Sequence, residues 1–332
     1  MREGWERREP SLEIDAASAE ALLHAVLPGA RVTALETCRG GLSNSNIRVR
    51  LAGPPGDLLL RFYQREPGEA RKEAALAALL EGRVPVARFL HLAETNPVTA
   101  GPYAILEWCD GELLSSVVTA LPDAELEVLG RALGGTLAAI HAVRFAHHGF
   151  FALDLALPEP IDLGREGQLG FLRTCLLEEP GRSRVGAALA EAVVELVETE
   201  GRCLDDWLEP PCLAHADFNP SNILVRRDDA GAWQVTAVLD WEFALAGTPG
   251  FDFGNILRPP LGARAGFETE LAEGYRAAGG RLPEDWRRIA RLTDLTAWAD
   301  FVARPGSGSA LIADARQVME ATLAEEGRRL PA

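Results

Sequence analysis

Along its first third the chain places apolar residues in short alternating runs, and beyond that at steps of three and four. A helical stretch comes first, over 16–26, with Asp15 as its N-cap, Leu22, Leu23 and Val26 on one face, and Pro28-Gly29 as its stop. Val32, Ala34 and Leu35 mark a strand within residues 31–38. Ile47-Arg48-Val49-Arg50-Leu51 alternates as a second strand and residues 58–63 make a third. A helix over 69–81 separates these from two further strands, predicted over 86–93 and 103–108. Leu126, Leu129, Leu133, Leu137 and Ile140 then form one stripe of a helix predicted over 125–143. Further helices are expected over 161–177, 185–199, 262–279, 283–303 and 309–328, and residues 1–10 read as a frayed tail.

Composition narrows the class. The chain has 332 residues, 47% hydrophobic and 25% charged, enough for a sizeable core in a soluble globular protein. No apolar run approaches the roughly 18 residues that a membrane span requires, so no membrane partner is expected. The formal charge of −16 would repel phosphate backbones, which argues against a nucleic-acid partner. Cys38, Cys109, Cys175, Cys203 and Cys212 are scattered and contain no C-x-x-C pair, as in free thiols of a reducing, cytoplasmic compartment. Lys72 is the sole lysine, so wherever chemistry needs a cation, arginine must supply it.

One stretch concentrates the chemistry. Cys212-Leu213-Ala214 is an apolar run that delivers His215-Ala216-Asp217-Phe218-Asn219-Pro220-Ser221-Asn222, and Ile223-Leu224-Val225 leads away from it. A second apolar run, 235–239, ends in Asp240-Trp241-Glu242. Two carboxylates at the ends of short buried strands, with an amide between them, suit phosphoryl transfer. That reaction needs a carboxylate to orient the attacking hydroxyl, and hard oxygen ligands for Mg²⁺.

The five-residue step from Asp217 to Asn222 is that of the protein-kinase catalytic loop, with Asp240 where a kinase keeps its metal-binding aspartate. His215-x-Asp217-x-x-x-x-Asn222 followed by Leu239-Asp240-Trp241-Glu242 resembles the aminoglycoside phosphotransferase and choline kinase family, with Ala216 where that family usually has glycine. The resemblance implies an α+β, two-lobed, protein-kinase-like fold. Its lobes would be an antiparallel-sheet nucleotide-binding lobe over residues 1–109 and a mostly helical catalytic and acceptor-binding lobe over 110–332. It implies ATP and Mg²⁺, with Asp217 catalytic and Asn222 and Asp240 holding the metal. Gly41, Leu42, Ser43 and Asn44 would cover the phosphates, Arg61 would grip them, and Glu73 would hold Arg61. Leu106, Glu107 and Cys109 would meet the adenine. Asp252 would brace the catalytic loop and His141 would be structural.

The implied reaction moves the γ-phosphate to a hydroxyl of a small molecule. An amine-bearing acceptor is expected, of the aminoglycoside type or, as an alternative, of the choline or ethanolamine type. Asp294 and Asp300, flanking Trp298, are the first candidates to meet the amine. A nucleotide-binding pseudokinase is the alternative of another class. A metal-dependent phosphatase is disfavoured, because the chain lacks a dense carboxylate and histidine cluster.

Overall fold

A computed structural model describes residues 12–38, 44–64 and 68–328. The tail expected over residues 1–10 lies outside the described residues. Helix α1 (Ala16–Leu23) is capped by Asp15, whose side chain accepts from the Ser18 amide at 2.8 Å. Strands β1 (Val32–Thr37), β2 (Ser45–Leu51) and β3 (Leu58–Phe62) precede helix α2 (Glu69–Leu80), and β4 (Phe89–Ala93) and β5 (Tyr103–Glu107) follow it. All five strands form one antiparallel sheet in the order β1-β2-β3-β5-β4. Strand alternation sends Ile47, Val49, Leu58 and Leu60 to one face, where α1 buries Leu22 and Leu23 against them.

The expected start of β4 at Val86 is corrected to Phe89. Val84 turns away to join the core of the helical part, and the Pro85 carbonyl accepts from the Val238 amide at 2.8 Å. Helix α2 likewise sends Leu76 and Leu80 into that second core, so it belongs to both halves. Glu73 is thereby held where the two halves meet.

After β5 the chain turns at Gly111, which adopts φ 154°; a Cβ there would lie 2.7 Å from Thr236 Oγ1. The turn leads through β6 (Glu112–Leu113) and α3 (Leu114–Val117) to the long helix α4 (Asp123–His141). The predicted stripe of α4 is wholly buried. Strand β7 (Gly149–Phe150), helices α5 (Arg165–Leu177), α6 (Gly181–Val185) and α7 (Ala187–Glu200), and strand β8 (Cys212–Ala214) come next. The single helix expected over 185–199 starts instead at Ala187, because Gly186 breaks the helical backbone at φ 91°.

Strands β9 (Ile223–Arg227) and β10 (Trp233–Val238) form a hairpin that β6 extends, while β11 (Leu245–Gly247) lies between β7 and β8. Helices α8 (Gly250–Ile256), α9 (Phe267–Ala277), α10 (Trp286–Ala303) and α11 (Ser309–Glu325) complete the helical part. The architecture is α+β, an antiparallel-sheet lobe followed by a mainly helical one. No helix among the described residues is long and apolar enough to cross a membrane. All five cysteines are free thiols.

Candidate active site

Strand β8 is buried throughout, which fixes the start of the loop that follows it. The loop is pinned from behind by Asp252 of α8, which is wholly buried. Its Oδ2 accepts from the His215 amide at 2.9 Å and its Oδ1 from the Ala216 amide at 2.7 Å. His141, at the end of α4, places Nε2 3.0 Å from Asp252 Oδ2, and its Nδ1 lies 3.0 Å from the Tyr275 hydroxyl. Asn255 donates to the Ala216 carbonyl at 3.2 Å. Ala216, so held on both sides, takes the left-handed conformation with φ 61°, which explains why glycine would be the easier residue there.

His215 is a spacer inside the loop. Its Nδ1 accepts from the Asp217 amide at 3.2 Å, so the proton sits on Nε2, which donates to the Leu239 carbonyl at 2.9 Å. This ties the loop to the end of β10. Asp217 is 6% exposed and held on each oxygen, Oδ1 by Asn219 Nδ2 and Oδ2 by Asn222 Nδ2, both at 2.7 Å. Asn219 was not predicted as a partner. The amide nitrogen of Asn222 is committed to Asp217, so its oxygen is the atom left for a metal.

The hairpin brings Asp240 to the same mouth. Val238 pairs with Ile223, and the Leu239 amide donates to the Asn222 carbonyl at 2.8 Å. Asp240 follows, in the left-handed region at φ 65°. Arg61 of β3 reaches it, donating from Nη2 to Asp240 Oδ1 at 2.9 Å and to Glu73 Oε1 at 2.7 Å. Tyr63 donates to the other Glu73 oxygen at 2.8 Å. Burial opposes the charge of Arg61, but Glu73, Tyr63 and Asp240 together hold it above the ordinary arginine value. Burial raises the Glu73 carboxyl, with Arg61 pulling the other way. Lys72 donates to the Glu242 carbonyl, adding a second link between α2 and the end of the hairpin. The predicted cation, its carboxylate and the second strand-end aspartate thus form one chain of contacts across the two halves.

Asn44 lies just before β2, 3% exposed, and neither of its amide atoms is paired among the described residues. Gly41, Leu42 and Ser43 lie outside the described residues. At the predicted hinge Leu106 is buried, Cys109 is half-buried, and the Glu107 amide donates to the Arg88 carbonyl at 3.0 Å. Arg48 lies over the neighbouring Trp108 ring at 4.2 Å.

The expected acceptor pair is corrected. Asp294 accepts from Arg258 Nε and Nη2 and from the Trp298 indole at 2.9 Å, and both Asp294 and Trp298 are buried, so their polar atoms are committed within the protein. Asp300 does line a cleft, one that also contains Asp217 and Ala216, but it is paired with Arg304. No local pattern announces the aromatic wall of this cleft, because its phenylalanines come from separate loops and helices.

Asp240 and the Asn222 oxygen would be hard ligands if a metal bound here, and among the described residues no group of three or more His, Cys, Asp or Glu could hold one. Two protein oxygens with the remainder left to water and phosphate suit Mg²⁺, which sheds water reluctantly.

Comparison with known proteins agrees with this layout. Aminoglycoside 2'-phosphotransferase-IIIa, solved as a GDP complex, superposes with a TM-score of 0.69 at 16% identity, over 94% of this chain and 100% of that one. A thermostable mutant of aminoglycoside phosphotransferase APH(4)-Ia, solved with AMP-PNP and hygromycin B, superposes at 0.65 with 19% identity, over 93% and 99%. A mouse (Mus musculus) protein, acyl-CoA dehydrogenase family member 10, is 25% identical over 225 residues, which is 63% of this chain; the match spans only 19% of that protein's length. The sequence model of the phosphotransferase enzyme family matches residues 34–292 of the chain. The chain therefore belongs to the phosphotransferase enzyme family.

Proposed function

We propose that the chain transfers the γ-phosphoryl group of ATP to the hydroxyl of a small molecule. The observation that carries this reading is the contact chain Glu73–Arg61–Asp240, set beside an Asp217 fixed on both oxygens by Asn219 and Asn222. Residues 1–109 form the nucleotide lobe in this reading and 110–332 the catalytic and acceptor lobe. Leu106, Glu107 and Cys109 meet the adenine. Gly41, Leu42, Ser43 and Asn44 cover the phosphates, and the unpaired amide of Asn44 supports that placement. Arg61, kept charged by its anionic neighbours, grips the phosphates.

Asp217 orients the acceptor hydroxyl and takes its proton. The acceptor oxygen bonds to the γ-phosphorus while the bond from phosphorus to the bridging oxygen breaks, and ADP leaves with the electron pair. Asn222 and Asp240 would hold Mg²⁺, which neutralises charge on the phosphates when bound.

An amine-bearing acceptor is a second reading. The neighbour folds solved with hygromycin B and with kanamycin favour it. The burial of Asp294 in its pair with Arg258 weakens it. Choline and ethanolamine fall under the same reading.

The test is nucleotide binding by calorimetry with and without Mg²⁺, alongside ATP turnover on a panel of hydroxylated compounds. Asp240→Ala should abolish the Mg²⁺-dependent part of binding. Unchanged Mg²⁺ dependence in that variant would remove Asp240 from the metal site, and binding without any turnover would favour the pseudokinase alternative.

A further inference from the structure

The cleft beside Asp217 has a volume of about 540 Å³, within the range of small-molecule sites. Its wall carries Phe150 of β7, Phe171 of α5, Phe243, Phe251 of α8 and Phe301 of α10. Of the five large apolar side chains exposed on the described surface, three line this one cleft: Phe150 (65%), Phe171 (43%) and Phe243 (37%). Single exposed apolar residues are ordinary, but several gathered in one concavity mark a surface that binds something apolar.

The polar groups of the same wall are largely committed to the protein. Asn255 donates to the Ala216 and Phe251 carbonyls, and Thr296 donates to the Thr293 carbonyl at 2.7 Å. Asp300 and Arg304 neutralise each other, and the guanidinium lies against the rings of Phe243 and Phe301 at 5.5 and 5.3 Å. Gln168 spends its amide nitrogen on the Leu163 carbonyl at 2.7 Å; its Oε1 is buried and has no partner among the described residues. A polycationic amino sugar entering here would meet the exposed Asp162, the amide-bound Asp217 and the arginine-paired Asp300, and no other carboxylate of the described wall. Its hydrated ammonium groups would be pressed against aromatic faces that lack enough carboxylates to compensate.

Resting on the phosphotransferase reading above, we propose that the acceptor is an alcohol with an apolar body, alkyl or aryl. Its hydroxyl reaches Asp217 while the body lies along the phenylalanine wall. Phe150 and Phe171 stand at the exposed side of the wall and set the preference by covering that body. The amide oxygen of Gln168 offers one hydrogen-bond acceptor for a polar group on it.

The test is a matched acceptor series: linear primary alcohols of increasing length, benzyl alcohol and 2-phenylethanol, against ethanolamine, choline and kanamycin. Each added methylene that becomes buried should raise kcat/KM about fourfold until the cleft is filled. The aryl alcohols should outrank all three amines. Phe150→Ser and Phe171→Ser, both at exposed positions that the fold tolerates, should flatten the chain-length slope and leave Mg-ATP affinity unchanged. A flat slope in the parent enzyme, an amine as the best acceptor, or no phosphorylation of any apolar alcohol by protein that binds Mg-ATP would each overturn the proposal while the kinase reading stands. Failure to bind nucleotide at all would overturn both.

Discussion

Ala216 stands one residue before Asp217 in a backbone conformation that a side chain bearing Cβ resists by about 1 kcal/mol. Its amide donates to Asp252 and its carbonyl accepts from Asn255, which hold it there. Ala216→Gly should therefore stabilise the protein by up to about 1 kcal/mol, less the entropy that glycine adds to the unfolded chain, as read by urea unfolding. A destabilised variant would mean that the methyl contact with Leu163 and Leu245 outweighs the strain. Glu242 supplies a pH signature. Burial first, and then Asp240, Glu69 and Glu73, push its carboxyl from 4.5 up to about 8. A raised carboxyl favours the protonated form in the fold, so its ionisation costs stability as pH climbs from 4.5 to about 8, and the full cost is present above that. Without Mg²⁺ or nucleotide, Glu242→Gln should be more stable than the parent at pH 9, and the two should converge towards pH 5; the reverse order at pH 9 would contradict this. Asp217, Asn222, Asp240, Arg61 and Glu73 were legible as a group, because short stretches of local sequence carry their spacing. The pairing of Asp294 is not legible in the same way, because Arg258, which neutralises it, lies 36 positions away and no local pattern joins them.

At the level of elements, α4 and α9 cross with glycines at the contact. A Cβ at Gly134 would collide with the Leu271 carbonyl and the Tyr275 amide, both backbone atoms that no rotamer change can move. Gly134→Ala should cost roughly 1–3 kcal/mol in thermal or urea unfolding, a typical overpacking penalty. It should also lower turnover, since Tyr275 is bonded to His141 and His141 to Asp252 behind the catalytic loop. An unchanged midpoint would show that the helices can part there freely. The existence of the long helices was legible from their apolar stripes. Their limits are less so: the apolar stripe runs past Gly186 without a visible break, and Val86 extends the apolar run of β4 for a reason outside the sheet, packing against the helical core. The two-residue strands β6 and β7 carry no periodicity that a sequence could display.

Across the whole molecule, the site is assembled by contacts between the halves. Arg61 and Glu73 come from the sheet lobe, while Asp217, Asn222 and Asp240 come from the helical one. A buried charge network of this kind is costly to break on one side only, since it leaves an uncompensated ion. Glu73→Ala should therefore raise the ATP KM and lower kcat in a protein that still folds, because α2 keeps its anchors at Leu76 and Leu80. Unchanged kinetics in a folded variant would remove α2 from the mechanism. The cleft beside Asp217 is the part of the molecule that the sequence conceals. Phe150, Phe171, Phe243 and Phe301 meet only when β7, α5, the end of the hairpin and α10 are packed together. The central claim is that Asp217 positions the acceptor and takes its proton. Its most direct test is a comparison of Asp217→Asn with the parent, measuring Mg-ATP affinity by calorimetry and phosphoryl transfer by single-turnover kinetics. Affinity should be nearly unchanged and the transfer rate should fall by about 10²–10⁴-fold. Full transfer activity in Asp217→Asn would contradict the account.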